Sequence, residues 1–219
     1  MNRLLRVTVW PLVAASPMIA ASLHPIRFFT EPRCVVFFVF MVIGLAIENG
    51  IVSPASIAAS REQASRDKKS FELSTLTNIA CFYLPVYDYM NMAPVVPRST
   101  LTLAIGAVLM LAGEGLRIAA LRTLGRFFTM RVAVLDGHKV VRAGLYRFVR
   151  HPAYTGWFLL SLGVGFYFGS IVGICGTSLF VVVLGWRVKV EEAALCESLG
   201  DEYRTYMRDV PVRFVPGIF

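Results

Sequence analysis

The chain has 219 residues, is 56% hydrophobic and only 16% charged, and carries a formal charge of +8 with a mean hydropathy of +0.63. A soluble domain is about a quarter charged, so this composition, with its repeated apolar runs of spanning length, excludes a soluble globular enzyme and predicts an all-α integral membrane protein. The positive charge reads as the cytoplasmic Lys and Arg excess of a multi-pass protein facing anionic lipid, not as a nucleic-acid footprint.

In chain order, Leu4 to Leu23 is the first expected span, kinked by Pro11 and Pro17. Its basic start imitates a signal peptide, but the run continues past both prolines without a cleavage site. Cys34 to Val52 is the second span, interrupted near its end by Glu48, Asn49 and Gly50. Ser53 to Glu72 is a polar loop. Leu73 to Val96 forms a third span containing Pro85 and Asp88, Pro97-Arg98 a tight turn, and Thr100 to Leu121 a fourth span with Glu114 and Arg117 near its end.

Thr123 to Arg150 is too polar to cross a membrane. Asp136-Gly137 lies between two alternating runs, Met130 to Val134 and Lys139 to Val141, which fits a hairpin and equally a structured loop. Ala153 to Trp186 is too long for one span and too short for two full ones, so it predicts a tight hairpin of two short helices turning near Gly169-Ser170. Gly163, Gly165, Gly173 and Gly176 would let those helices approach closely. Arg187 to Met207 reads as a helix emerging into water. Val210 to Pro216 is extended, because Pro211 and Pro216 forbid helix.

With about six spans and a cytoplasmic N-terminus, the outer connections hold Arg27, Arg33 and Arg98, and the other 19 of the 22 basic residues fall inside or at the inner end of a span. Both termini, the Thr123 to Arg150 loop and the C-terminal helix then share the cytoplasmic face. The four cysteines, Cys34, Cys81, Cys175 and Cys196, have neither CxxC spacing nor a neighbouring His, so no metal site is expected and they read as small apolar residues.

The hairpin brings two polar ends to one depth: Tyr146, Arg150, His151 and Tyr154 at its start, Arg187 and Glu191 at its end. Singly these admit bland readings. Tyrosines sit at membrane interfaces, Pro152 suits a first helical turn, and Arg187 with Glu191 four residues on could be a surface ion pair. Their convergence is what those readings leave unexplained.

Three segments carry a family resemblance. They are Gly113-Glu114-Gly115-Leu116-Arg117 with Leu124-Gly125-Arg126-Phe127; His138 to Tyr146 followed by Arg150-His151-Pro152-Ala153-Tyr154-Thr155-Gly156; and Arg187 with Glu191-Glu192, followed by Leu199-Gly200-Asp201-Glu202-Tyr203-Arg204-Thr205-Tyr206. Together they resemble the isoprenylcysteine carboxyl methyltransferases, within the wider group of integral-membrane methyltransferases that includes phospholipid methyltransferases. The resemblance covers about half the chain, from Gly113 onward.

The resemblance implies an enzyme that uses S-adenosyl-L-methionine without a Rossmann domain. Residues 1–122 would form four N-terminal helices and residues 123–219 the catalytic core of one membrane domain. The cofactor contacts carried over are Arg131, His138, Lys139, Val140, Val141, Tyr146, His151, Pro152, Ala153, Tyr154 and Glu191. Arg187 is the arginine near the substrate carboxylate, both substrate-binding and catalytic. The acceptor would be a prenylated cysteine carboxylate entering from the bilayer, in the endoplasmic reticulum of a eukaryote or the inner membrane of a bacterium. The alternatives are a phospholipid or amine N-methyltransferase, which needs a base; a sterol-reductase-like NADPH enzyme with a similar tail; and a non-enzymatic scaffold or channel, which the scarcity of charge within the spans disfavours.

Overall fold

The computed structural model describes residues 19, 22–53, 56–58, 67, 69–131, 135 and 137–214. They contain seven α-helices of six or more residues and no strand. These are α1 (Pro25–Thr30), α2 (Pro32–Ile51), α3 (Ser70–Asn91), α4 (Thr100–Leu124), α5 (Pro152–Phe168), α6 (Ile171–Leu199) and α7 (Asp201–Asp209), with short 3-10 turns at Gly125–Phe127 and Gly144–Arg147. The expected first span lies almost wholly outside the described residues, as do most of the loop after Ser53, residues 132–134 and 136, and the tail beyond Phe214. Lys139 to Val141, which is described, runs as irregular chain, so this arm of the loop forms no strand.

The helix boundaries follow ordinary end chemistry. Pro32 and Pro152 occupy first turns, where their missing N–H costs nothing. Ser99 caps α4 by accepting from the Thr102 N–H at 3.2 Å, and Ser170 caps α6 by accepting from Gly173 N–H at 3.1 Å. The chain reverses between α5 and α6 at the expected Gly169-Ser170, where Gly169 takes a left-handed φ of 63°.

Two boundaries differ from the sequence expectation. Glu48, Asn49 and Gly50 do not break the second span, since α2 runs through them to Ile51. The hairpin's second helix does not stop at Trp186 either. α6 runs unbroken over all 29 residues from Ile171 to Leu199, and the break falls at Gly200, with φ 58°, before α7. No Gly or Pro interrupts 186–199, so charge alone does not end a helix whose backbone can propagate.

α2, α4 and α6 are each long and apolar enough to cross a membrane. α4 and α5 meet along a seam of Gly106 and Gly113 against Gly156 and Gly163. Gly163 therefore serves α4 rather than the hairpin, and Gly176 faces Cys81 on α3. Gly165 and Gly173 face each other, as the sequence suggested. A Cβ on Gly113 would lie 2.6 Å from the Gly156 carbonyl oxygen and the Leu160 nitrogen, both rigid backbone. Gly113→Val should cost about 1–3 kcal/mol of stability, read as an earlier thermal unfolding midpoint in detergent. Gly115→Val, with nothing within 4 Å of its Cβ position, is the control, and equal midpoints would refute the seam.

Candidate active site

The site is built where the start of α5 meets the second half of α6. Arg187 and Glu191 share a face of α6, while Glu192 is turned about 100° away. On α5, Tyr154 lies in the first turn of the helix with its ring stacked on His151, the centroids 5.7 Å apart. Its hydroxyl accepts from Arg187 Nε at 2.9 Å and donates to Glu191 Oε2 at 2.7 Å. A cation and a carboxylate are thus joined through one phenol.

Arg187 is buried, its side chain 4% exposed. Nη1 donates to Asp67 Oδ1 at 3.1 Å and Ser70 Oγ at 3.2 Å, and Nη2 donates to the Met130 carbonyl at 2.6 Å. It is therefore not a lipid-facing arginine paired with Glu191 across water. A cavity of about 260 Å³ opens onto this cluster. His138, Lys139, Val140, Val141, Tyr146, His151, Ala153, Tyr154, Arg187 and Glu191 all line it.

Two expected site residues stand apart from the wall. Pro152 is buried in the first turn of α5. Arg131 pairs with Glu72 at 2.7 Å, approaches Asp67 at 3.7 Å, and lies over the Phe71 ring.

The loop wall is fixed from two sides. The His138 ring stacks on Phe127 at 4.9 Å, and burial pulls its pKa below the ordinary imidazole range, so it is neutral at pH 7. The Val140 N–H donates to Glu202 on α7 at 3.3 Å, and Arg142 pairs with Asp209 at 2.7 Å. The Tyr146 carbonyl accepts from Tyr206 OH at 2.8 Å. Burial pushes the phenols of Tyr146 and Tyr203 well up and that of Tyr206 to about 12, so these hydroxyls remain protonated.

Several residues that the sequence left without a role complete the arrangement. Arg117 on α4 is buried and grips Glu48 on α2 through Nε and Nη2, the latter at 2.7 Å from Oε2. Its guanidinium also lies 4.2 Å from the centroid of the Trp157 ring. Both line the cavity. The signal was present in the sequence as opposite charges in two different spans, a pattern that points to pairing. Glu192 accepts from Arg150 Nε at 2.8 Å, lies 3.2 Å from His151 Nε2, and pairs with Arg213 at 3.1 Å. Asp67 had no such signal, because an acid in a polar loop is unremarkable until its 0% exposure is seen.

Residues 104–197 match the isoprenylcysteine carboxyl methyltransferase (ICMT) family model. Relatives named protein-S-isoprenylcysteine O-methyltransferase include one from Homo sapiens, 35% identical over 120 residues, covering 52% of this chain and 42% of the relative. One from Schizosaccharomyces pombe is 38% identical over 106 residues, covering 45% and 43%. A probable one from Oryza sativa subsp. indica is 34% identical over 116 residues, covering 48% and 57%. The chain thus spans about half the length of the curated relatives it matches. In fold it is similar to the eukaryotic intramembrane Ras methyltransferase ICMT, with a TM-score of 0.58 and 22% identity over 93% of this chain and 74% of that one. The stretch that matches the family model runs from α4 through most of α6 and includes Arg117, Tyr154, Arg187 and Glu191.

Proposed function

We infer that this chain is an S-adenosyl-L-methionine-dependent O-methyltransferase that esterifies the carboxylate of a lipophilic, prenylated cysteine. The observation that carries the reading is the Arg187–Tyr154–Glu191 chain on the cavity wall. It offers a seat for an anion and a seat for a cation, held a few ångströms apart by one helix. The relatives' names supply the substrate class.

The donor set suits S-adenosyl-L-methionine. Glu191 would hold its ammonium group, aromatic faces of Tyr146, Tyr154 and Trp157 would surround its sulfonium, and the 138–141 loop with Phe127 would flank its adenine. When bound, the cofactor supplies a methyl group on a cationic sulfur. An acceptor carboxylate is already ionised near neutral pH, so the protein need supply no base. Transfer neutralises a cation and an anion, which a dry, buried site favours over water. The protein's work is then positioning. Arg187 has five N–H groups and donates four hydrogen bonds to the described residues. This leaves a single-point contact rather than a fork for the acceptor, and fixes that contact tightly.

We further read the membrane arrangement as six spans with both termini cytoplasmic, residues 1–122 forming the substrate-side helices and residues 123–219 the catalytic unit. The α5–α6 return and the distribution of basic residues support this.

The test uses purified protein with labelled S-adenosyl-L-methionine and either a farnesylated cysteine analogue or phosphatidylethanolamine. A base-labile methyl ester on the cysteine analogue is expected. A stable N-methyl product would move the function to amine transfer, and no cofactor binding would end the reading. Glu191→Gln should weaken cofactor binding about 10–100-fold, the worth of a hydrogen bond to a charged group, measured by calorimetry.

A further inference from the structure

The segment after α7 is not a loose end. Arg150 Nη1 donates to the Met207 carbonyl at 3.3 Å and the Val210 carbonyl at 2.6 Å, closing the C-terminus of α7. The chain then runs as irregular backbone past Pro211, alongside the residues that open α5. The Arg150 N–H donates to the Val212 carbonyl at 3.0 Å and the His151 N–H to the Arg213 carbonyl at 2.9 Å. Thr155 Oγ1 donates to the Phe214 carbonyl at 2.7 Å. These are the turn-forming and first-turn residues of the helix that carries Tyr154.

Side chains tighten the same contact. Arg213 donates to Glu192 Oε2 from Nε at 3.2 Å, on the carboxylate whose other oxygen holds Arg150 and His151. The Phe214 ring lies 6.2 Å from that of His151. It packs into a cluster with Cys81, Phe180 and Leu184, beside Tyr154 and Trp157. Phe214 therefore backs the two rings whose stacking aims the Tyr154 hydroxyl at Arg187 and Glu191. Glu191 and Glu192, adjacent in sequence, divide their duties: one faces the cavity, while the other spends its charge on Arg150, His151 and Arg213.

We propose that Arg213 and Phe214, outside the family-matched segment, are positioning residues of the active site: they hold His151 and Tyr154 in place and, through the Tyr154 hydroxyl, set the Arg187–Glu191 pair. This rests on the methyltransferase reading above. It predicts a defect in the transfer step rather than in ligand affinity, because neither side chain lines the cavity. A small displacement of Tyr154 misaligns the two seats without removing either, and misplacement on the ångström scale costs rates heavily.

The experiment measures kcat, acceptor KM and cofactor Kd on the full chain in detergent, for wild type, Arg213→Gln, Arg213→Lys and Phe214→Ala. Folded fraction is followed by size exclusion and thermal unfolding. Arg213→Gln and Phe214→Ala should each lower kcat about tenfold or more, with KM and Kd within about threefold, and Arg213→Lys should recover most of the loss. The proposal is overturned if kcat stays within about twofold of wild type. It is equally overturned if the loss merely tracks cofactor binding or folded fraction, or if Lys fails to rescue. A wild type that neither binds the cofactor nor turns over sinks the methyltransferase reading itself, and the positioning role with it. That outcome is read on the wild type, so the two failures are distinct.

Discussion

Arg187→Lys should reduce turnover about 100-fold or more while leaving cofactor Kd within about threefold. Lysine keeps the charge but not the planar fork. Arg187 reaches Asp67, Ser70, the Met130 carbonyl and the Tyr154 hydroxyl at once, from three nitrogens. One ammonium cannot meet partners spread so widely, and two lost hydrogen bonds to a charged group, about 1.5–3 kcal/mol each, account for the expected factor. Arg187→Ala is the less informative variant. It takes from the Asp67 carboxylate, fully buried at 0% exposure, its nearer cation and leaves it the Ser70 hydroxyl and Arg131 at 3.7 Å, and breaking a buried pair in this way costs up to about 3–5 kcal/mol of stability. Activity would then be lost with the fold. If the Lys variant keeps more than about a tenth of the turnover, Arg187 is a structural residue. If it loses cofactor binding instead, the roles assigned to Arg187 and Glu191 are exchanged.

The second large effect is on stability. Glu192→Ala removes the common partner of Arg150, His151 and Arg213, whose side chains are 4%, 5% and 33% exposed. Two of these groups are left inside the protein without their carboxylate, so a loss of about 3–5 kcal/mol is expected. For a chain of this length that corresponds to a midpoint roughly 10 °C lower, measured by thermal unfolding in detergent. Glu197→Ala, on the exposed face of the same helix, should melt with wild type. A Glu192→Ala protein that does the same would show that the tail is not anchored through this carboxylate.

Much of the helical framework was legible because its causes are local. Apolar runs bounded by Pro32, Ser99, Pro152 and Ser170 mark helix starts by end chemistry that needs no tertiary knowledge. The reversal at Gly169-Ser170 followed from counting residues against membrane thickness. The extent of α6 was misjudged because the change from apolar to charged residues at Trp186-Arg187 is a change of solvent, not of backbone preference. The convergence of Tyr154, Arg187 and Glu191 was foreseeable once the hairpin was drawn. What stayed hidden depended on pairings between distant segments: Glu48 with Arg117, Asp67 with Arg187, and Arg213 with Glu192. Opposite charges in two spans hint only that Glu48 and Arg117 could pair, whereas Asp67 in a loop and Arg213 in the tail say nothing about their partners.

The unbroken course of α6 through Arg187 and Glu191 has a geometric consequence. Their separation along the helix axis is about 6 Å, set by backbone pitch and not by any loop. Under the methyl-transfer proposal the helix is a gauge block between the anion's seat and the cation's, and a bulkier or slimmer acceptor would leave that interval alone. The adjustable surfaces would be Leu45 and Val52 of the α2 segment and Phe71 of α3, which line the same cavity from outside the family-matched stretch.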